Sequence, residues 1–444
     1  MFLLMMENLF VILCAVLFNQ FLIGLAYGWV PITLKKLQDE VSAFKLSDEA
    51  ASWIVSINEL GKISGPVLAP FIIDNIGRRG STLLVMYLLS LMWPSIFYTR
   101  SIYLICVIRF TFGCAHGLFD VLSSIYIAEN CSSELRVIIG SVLTIVFTAG
   151  IFFETVLATF LNYHHTAIVN ETVAFCAFST IYFCTETPYF LVMKENYREA
   201  EKNLAWLLGM RDANDCLEKI KSIEASVQEE KRKTKSLKLL LSSTANARSI
   251  CIVLSMHVIS MMTGSSVIAP YCSMIFSSSD MLSANHYVIM YGTCIFLSAC
   301  ISPLVVLKLN RRTLLIVSFS IIGLSHTCSA LLLYFHNRDY KITLYPWLIF
   351  TFIALYGIVR RMFGPALYII RTELLPLSVR AIGGSMVVIT SALTGFFMAK
   401  TFFPIVAYFG LEVNFFIYAS MSILLSFIIY HFLPESRGKS LDDI

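Results

Sequence analysis

The chain has 444 residues, of which 57% are hydrophobic and 14% are charged, and its formal net charge is +4. Soluble domains average about half apolar and about a quarter charged residues, so this composition excludes an ordinary water-soluble fold. In a membrane protein a small positive balance reflects loop asymmetry, so we expect no nucleic-acid partner.

Twelve apolar runs reach or approach the length of about 20 residues that crosses a bilayer. We number them spans 1 to 12. Spans 1 to 6 cover 9–30, 51–73, 81–99, 102–128, 137–161 and 166–185, and spans 7 to 12 cover 250–276, 287–307, 313–335, 346–372, 381–406 and 409–433. Asn170 and Glu171 weaken span 6. Span 1 follows no basic region and is too long for a signal-peptide core, so we interpret it as a membrane helix.

The stretch between spans 6 and 7 is polar and divides the chain into three parts. We predict an N-terminal six-helix bundle over 1–185, a cytosolic helical linker over 186–249, and a C-terminal six-helix bundle with a short cytosolic tail over 250–444. Within the linker, 195–208 and 215–230 have the period of amphipathic helices.

Basic residues cluster in alternate loops. Arg78 and Arg79 follow span 2, and Arg311 and Arg312 follow span 8, whereas the loops after spans 5, 7 and 11 contain no Lys or Arg. The positive-inside rule then predicts that the basic side and both termini are cytosolic. Three lysines after span 1 oppose this trend: Lys35, Lys36 and Lys45.

The two halves repeat a pattern of charged motifs. The matched pairs are 74–79 with 308–312, Glu129 and Arg136 with Glu373 and Arg380, and 186–188 with 434–439. Such repeats are typical of transporters built from two similar bundles with a binding site near the bilayer midplane.

These motifs resemble those of the sugar porters of the major facilitator superfamily, especially the facilitative hexose and trehalose carriers of insects. The resemblance rests on Ala51-Ser52-Trp53, the RxxxG of Arg109 and Gly113, the YxxE of Tyr126 and Glu129 with Arg136, Gly364-Pro365, and the tail from Pro434 to Leu441. It implies an all-α membrane protein with twelve transmembrane helices in two pseudo-symmetric six-helix bundles, the major facilitator fold. It also implies an integral protein of the plasma membrane that carries a small solute and is not an enzyme.

Charged residues at the ends of the spans are candidates for gating. The expected network contains Asp74, Arg78, Arg109, Glu129 and Arg136 in the first half, and Arg311, Arg312, Glu373, Arg380 and Glu435 in the second. Ion pairs of about 1 kcal/mol suit a gate whose two states differ by a few kcal/mol. The alternative is that these charges only set topology. Leu307 replaces an acid of the family, so we expect a weaker second-half network or one that relies on Glu435.

The resemblance also suggests a substrate site, in which most of the family's amide side chains are replaced. The expected wall is Thr144, Ser260, Thr263, Ser266 and Tyr368, with Arg360 and Arg361 one turn before Gly364-Pro365. These arginines attract an anionic substrate, form a buried structural pair with Glu154 or another acid, or extend as snorkelling side chains. Ala26 stands where proton-coupled members carry a carboxylate, which favours facilitated diffusion.

Other polar residues lie inside the spans. Glu59 and Lys62 are three residues apart on span 2 and are expected to neutralise each other. Asp120 has either a proton-linked role or a structural partner. We see no metal-ligand spacing and expect no metal and no cofactor. Asn170 begins a glycosylation sequon whose use is left open.

We therefore predict facilitated transport of a sugar, hexose or trehalose, by alternating access. One alternative is an organic anion carrier of the same fold, suggested by Arg360 and Arg361. The other is a membrane nutrient sensor that does not transport. The polar segments contain no enzyme motif. A longer native tail beyond Ile444 is left open.

Overall fold

A computed structural model describes residues 2–38, 46–99, 101–131, 133–180, 184–208, 213–232, 244–277, 281–306, 309–338, 340, 344–375 and 380–433. These residues are almost entirely helical and contain no strand. The helices of spans 1 to 6 are Phe2–Gln38, Asp48–Tyr98 (spans 2 and 3), Ile102–Asn130, Ser133–Phe160 and Tyr163–Thr180. Those of spans 7 to 12 begin with Thr244–Ser260 and continue with Ala284–Val306, Arg311–His336, Tyr345–Leu374, Arg380–Phe409 and Leu411–Phe432.

Spans 2 and 3 form one run of helix that bends back at Gly77. The backbone of Gly77 has φ 82° and ψ 177°, a conformation that a residue with a Cβ adopts only with strain. Ten helices among the described residues are long and apolar enough to cross a membrane, and Asp48–Tyr98 counts as one of them. Span 6 is the helix that misses this threshold. Two crossings in the merged helix, the nine other helices and span 6 together give the twelve predicted spans.

The spans pack as two bundles. Span 4 packs against spans 2 and 3, and span 1 packs against span 5, whereas span 9 packs against spans 10 and 12. The bundles meet where span 2 contacts span 11, where span 5 contacts span 8, and where the short helix Cys272–Ile275 contacts span 1. This arrangement confirms the predicted fold class.

Glycines set the closest helix crossings of the first bundle. Gly61 and Gly65 of span 2 face Gly113 and Gly117 of span 4, and a Cβ at any of these positions would overlap the backbone of the other helix. Small residues allow such approach in lipid, where tight van der Waals packing holds helices together. Gly61 and Gly65 therefore serve helix packing.

Span 7 is interrupted near its middle. After Thr244–Ser260 the chain makes a π-helical turn at Met261–Ser265, in which Gly264 has φ 90°. A π turn widens the helix and is common at functional sites. The ring of His326 on span 9 lies 3.1 Å from the carbonyl oxygen of Thr263, so it braces the interrupted segment.

Three short helices follow span 6: Pro188–Met193, Tyr197–Leu208 and Ala213–Arg232. Leu191, Leu204, Ile220 and Val227 form a small apolar core between them. The amide of Asn203 donates to the carbonyl oxygen of Glu186 at 3.0 Å. These three helices thus form a small unit that packs against the first bundle.

The structure bears on two residues that the sequence left unexplained, Lys36 and Asn170. Lys36 ends span 1 and donates to the carbonyl oxygens of Ala158 and Leu161, which caps the last turn of span 5. That contact explains a lysine on the side with few positive charges, because cations stabilise helix C-termini. Asn170 is fully buried inside span 6, so the folded protein hides the glycosylation sequon.

Candidate functional site

The bundles are closed against each other at one end of the molecule, which we call the opposite end. There the ammonium group of Lys400 on span 11 donates to the hydroxyl of Ser52 on span 2 at 2.9 Å. The same ammonium lies 4.1 Å from the ring centroid of Trp53, and the Trp53 ring contacts Phe396 with centroids 6.2 Å apart. A cation over an indole face is attracted by the ring quadrupole. Polar and aromatic contacts therefore join the bundles here.

Further contacts between the bundles lie between this end and the middle. The hydroxyl of Ser273 donates to the carbonyl oxygen of Pro31 in span 1. The rings of Phe152 in span 5 and Phe296 in span 8 stack with centroids 5.7 Å apart. Each pair has one member in each bundle.

Within the described ranges the bundles are separated at the other end, which carries Arg78, Arg79, Arg311 and Arg312 and which we call the basic end. Gly140 lies two helical turns from Phe147 on the same face of span 5, and Gly384 lies three turns from Gly395 on span 11. A Cβ added at Gly140 or Gly384 would meet nothing within 4 Å. The faces of spans 5 and 11 that contact the other bundle near the middle are therefore separated from it by a gap at the basic end.

A buried ion pair organises the first bundle at the basic end. The guanidinium of Arg78 donates to Glu129 through Nε at 2.9 Å and Nη2 at 2.6 Å. The other carboxylate oxygen of Glu129 accepts from the Thr187 hydroxyl at 2.6 Å. Asp74 lies farther from Arg78, at 3.8 Å, and is more than half exposed. The two hydrogen bonds from Arg78 to Glu129 join charged groups, and such bonds are stronger than those between neutral groups.

Glu186 joins this cluster through the backbone. Its carboxylate accepts from the N–H groups of Arg78, Arg79 and Thr187 at 2.9 to 3.1 Å. Burial raises the pKa of the Glu186 carboxyl, although these backbone donors act in the other direction. The carboxylate thus ties the Gly77 turn to the start of the linker.

Two members of the expected network lie elsewhere. Arg109 is buried in span 4 far from the basic end, where Nη1 donates to the carbonyl oxygen of Ala26 at 2.9 Å. Arg136 donates to the carbonyl oxygens of Cys131 and Ala128 at 3.0 and 2.6 Å. Arg136 thus caps the end of span 4 by hydrogen bonding to backbone carbonyls.

In the second half, fewer members of the expected charge network have described side chains. Arg312 donates to the carbonyl oxygen of Tyr430 at 2.5 Å and lies over its ring. Arg311 lies beside it at the start of span 9. The side chains of Glu373, Arg380 and Glu435 fall outside the described residues.

The predicted wall residues differ in accessibility. Thr144 is half-buried on the face of span 5 toward the gap, and its hydroxyl donates to the carbonyl oxygen of Gly140. Ser260 and Thr263 are buried, and Thr263 donates to the carbonyl oxygen of Ser260 at 2.8 Å. Ser266 lies against Gly395 of span 11. Of these four hydroxyls, that of Thr144 is the best placed to meet a solute.

Tyr368 and the two arginines of span 10 point in different directions. Tyr368 is 55% exposed, beside the ring of His257. The guanidinium of Arg361 lies 5.5 Å from the ring of Phe147 in the other bundle. Arg360 instead lines a small cavity within its own bundle, with Ser318 and other residues of span 9. Adjacent residues of a helix face about 100° apart, so only Arg361 reaches between the bundles.

Buried and half-buried polar side chains of spans 1, 2 and 4 form a series of contacts in the first bundle. The hydroxyl of Tyr27 lies 3.3 Å from Glu59 and 3.2 Å from Nδ1 of His116. Nε2 of His116 lies 3.4 Å from one oxygen of Asp120, and the ammonium of Lys62 lies 3.3 Å from the other. The ion pair of Lys62 is therefore with Asp120, and the expected pairing with Glu59 is replaced.

Sequence reasoning missed Tyr27, His116 and Lys400. His116 and Asp120 are four residues apart on span 4, a spacing that could have suggested their contact. Glu154 is fully buried in span 5 and approaches Gly28 of span 1. It therefore lies inside the first bundle, away from the arginines of span 10.

The chain is similar in sequence to known transport proteins. A family model described as "Sugar (and other) transporter" matches residues 11–444. The facilitated trehalose transporter Tret1 of Aedes aegypti is 23% identical over 427 residues, covering 95% of this chain and 53% of that protein. Tret1 of Apis mellifera ligustica is 23% identical over 435 residues, covering 97% of this chain and 86% of that protein. The chain thus spans about half the length of the Aedes aegypti and Anopheles gambiae relatives.

Solved structures share the same architecture. The inward open conformation of the xylose transporter XylE from E. coli has a TM-score of 0.79 at 17% identity, covering 98% of both chains. XylE bound to 6-bromo-6-deoxy-D-glucose has a TM-score of 0.75 at 19% identity, again covering 98% of both chains.

Proposed function

The chain belongs to the sugar transporter family of the major facilitator superfamily, and from this we propose that it carries a small sugar across a membrane by alternating access. The observation that carries the proposal is the asymmetry of the interface between the bundles. Lys400, Ser52 and Trp53 join the bundles at the opposite end, while Gly140 and Gly384 face open space at the basic end. A carrier that exposes its cavity to one side at a time has this arrangement in one of its two states.

The basic end is the proposed cytosolic side. Arg78, Arg79, Arg311 and Arg312 lie there, and the positive-inside rule assigns such loops to the cytosol. Both termini and the linker helices are then cytosolic, and the conformation described is open to the cytosol. The plasma membrane is the proposed location. The division into 1–185, 186–249 and 250–444 remains part of this proposal.

The cargo we propose is a neutral sugar, hexose or trehalose, as the names of the relatives suggest. The exposed ring of Tyr368 offers a stacking surface, and the side chains of Lys62 and Asp120, 22% and 34% exposed, supply hydrogen-bond donors and acceptors. The guanidinium of Arg109 is satisfied by the carbonyl oxygen of Ala26, where proton-coupled members of the family carry a carboxylate. That contact favours facilitated transport down a gradient.

Reconstitution in proteoliposomes tests this function. We expect saturable uptake of a labelled hexose or of trehalose that does not require a proton gradient. Tyr368→Ala should lower uptake at least tenfold if the ring contributes about 1.4 kcal/mol to sugar binding. Tyr408→Ala, at an 83% exposed position near the end of span 11, is the matched control and should leave uptake unchanged. Absence of sugar flux across a broad panel would reject the sugar cargo.

A second candidate cargo is an organic anion. Arg361 favours it, because this guanidinium lies between the bundles over an aromatic ring. An ionised group at membrane depth is costly and usually functional. Arg361→Gln should then abolish anion uptake, while Arg360→Gln, which faces span 9, should reduce it less. Equal transport by the wild type and Arg361→Gln would reject this cargo.

A further inference from the structure

The guanidinium of Arg361 in span 10 has no acidic partner among the described side chains. It lies 5.5 Å from the ring of Phe147, and it forms neither a hydrogen bond nor an ion pair with any described residue. Arg360, its neighbour in the chain, adds a second positive charge that repels it. An ionised group at membrane depth without a counterion is costly, so Arg361 is a candidate for binding a charged ligand.

Tyr291 of span 8 brings a hydroxyl group to the same face of span 10. Gly357 lies one turn before Arg361, and a Cβ added there would come within 3.0 Å of the Tyr291 hydroxyl oxygen. A long side chain on a helix leans back over the preceding turn, which for Arg361 is the turn of Gly357. Among the tyrosines, Tyr291 has the largest electrostatic interaction with Arg361. The hydroxyl and the guanidinium therefore lie on one side of span 10.

Two buried hydroxyl groups beside these arginines have no acceptor among the described residues. Tyr291 is 5% exposed and Tyr356 is 2% exposed, and neither forms a hydrogen bond with a described residue. The strongest electrostatic neighbour of Tyr291 is Tyr356, and both tyrosines also interact with the two arginines. Because buried hydroxyls are normally hydrogen-bonded, these two can donate to a ligand.

An anion matches this set of groups. A guanidinium only donates hydrogen bonds, and each tyrosine hydroxyl has a hydrogen to donate. The hydroxyl of a neutral solute could accept these bonds, but it would leave both positive charges without a counterion. The burial of both hydroxyls favours an ion of one or a few atoms.

We propose that Arg361, Tyr291 and Tyr356 bind a small monovalent anion such as chloride, with Arg360 supplying a second positive charge nearby. The same chemistry would suit the carboxylate of an organic solute, and the burial of the hydroxyls favours the halide. Binding of the ion requires neither sugar nor transport, so this proposal does not rest on the proposed function.

The basic end gives the ion a route to this site. Tyr368 follows Arg361 by seven residues, so it lies on nearly the same face of span 10, about 10 Å nearer the basic end. It is 55% exposed, on the side where the bundles are separated. An anion in the gap therefore approaches Arg361 past Tyr368. Once bound, it lowers the net charge where Arg361 contacts Phe147 of the other bundle.

The test measures chloride binding to the purified full-length protein without sugar. Chloride replaces methanesulfonate at constant ionic strength, while the thermal midpoint and the excess ³⁵Cl NMR linewidth are recorded. We expect the midpoint to rise with chloride, because a ligand that binds only the folded state stabilises it. Acetate is the carboxylate probe, and it should stabilise the protein less. Stabilisation by acetate without stabilisation by chloride would overturn the assignment to a halide.

Two variants locate the site. Arg361→Gln and Tyr291→Phe should each weaken chloride binding by about tenfold or more, as expected for loss of a hydrogen bond to a charged group. Tyr291→Phe keeps the ring over Gly357 and removes only the hydroxyl, so it should fold.

Tyr271→Phe is the matched control. Tyr271 is a buried tyrosine of the same bundle whose hydroxyl already donates to the carbonyl oxygen of Ala399 at 3.1 Å. Its variant should bind chloride like the wild type. Absence of chloride binding to the wild type would overturn the proposal, as would an affinity unchanged in either Arg361→Gln or Tyr291→Phe.

Discussion

The two ends of the molecule use polar contacts differently. At the opposite end the Lys400 ammonium joins span 11 to span 2, so a contact crosses between the bundles. At the basic end the contacts between Arg78, Glu129 and Thr187 are the strongest among the described side chains, and they stay within the first half of the chain. In the proposed transport cycle, contacts of the first kind must break, whereas contacts of the second kind can persist.

This difference separates two physical roles for charge. A buried pair such as Arg78 and Glu129 holds one rigid body together, and it is costly to break because each ion would be left without a partner. A half-buried lysine over an indole ring contributes only about 1 kcal/mol or a little more. Weak contacts suit a moving interface, because the two states must remain close in free energy.

The largest effect should come from filling the gap at the basic end. Gly384→Trp adds a bulky ring at a position with open space in this conformation, and it should prevent the bundles from closing there. We expect the protein to fold and net transport to be lost. Solvent accessibility of a cysteine in the cavity, probed by a membrane-impermeant reagent from each side, checks the state. Gly384→Ala is the control, and transport by the Trp variant would contradict the gap.

The next effect concerns the contact that stays within one bundle. Glu129→Gln removes the charge that neutralises Arg78 and should destabilise the protein by about 3 to 5 kcal/mol, as for other buried pairs. The thermal midpoint of the purified protein measures this loss. If the distribution between the two conformations shifted while stability stayed the same, the pair would belong to the moving interface.

A smaller effect is expected from the contact that crosses between the bundles. Lys400→Met removes the ammonium from Trp53 and Ser52 and should favour opening of the opposite end by about 1 to 2 kcal/mol, a shift of about 5- to 30-fold. Distances between spin labels on spans 2 and 11 measure the populations. Lys400→Arg keeps the charge and should shift them less. A fall in thermal stability without a population shift would argue against a gating role.

The smallest effect should follow Asp74→Asn. Asp74 lies 3.8 Å from Arg78 and is 56% exposed, and exposed ion pairs contribute about 0 to 1 kcal/mol. We expect a change in thermal midpoint close to the error of the measurement. A loss comparable to that of Glu129→Gln would mean that Asp74 shares the buried pair.

The sequence was sufficient for the fold because lipid imposes a simple rule on helix length and polarity. Apolar runs located the spans. Motif matching was less reliable for Arg109. Twenty residues of helix separate it from Glu129, which is about 30 Å, so the two side chains cannot belong to one cluster.

The candidate site was harder to predict, because the side chains that contact each other there come from different spans. Lys62 has Glu59 one turn away, yet its ion pair is with Asp120 on span 4. Only the packing of two helices decides between these carboxylates. Likewise, Arg360 and Arg361 look equivalent in the sequence, but the rotation of span 10 directs one toward span 9 and the other toward Phe147.

The polar character of span 6 bears on how the chain is made. A segment with Asn170 and Glu171 partitions poorly into hydrocarbon when it leaves the translocon alone. Asn170 is hidden in the finished bundle, where span 6 packs on spans 1 and 3. Biogenesis of the first half should therefore depend on earlier helices that remain beside the translocon, so that span 6 inserts into a partly assembled protein rather than into bare lipid.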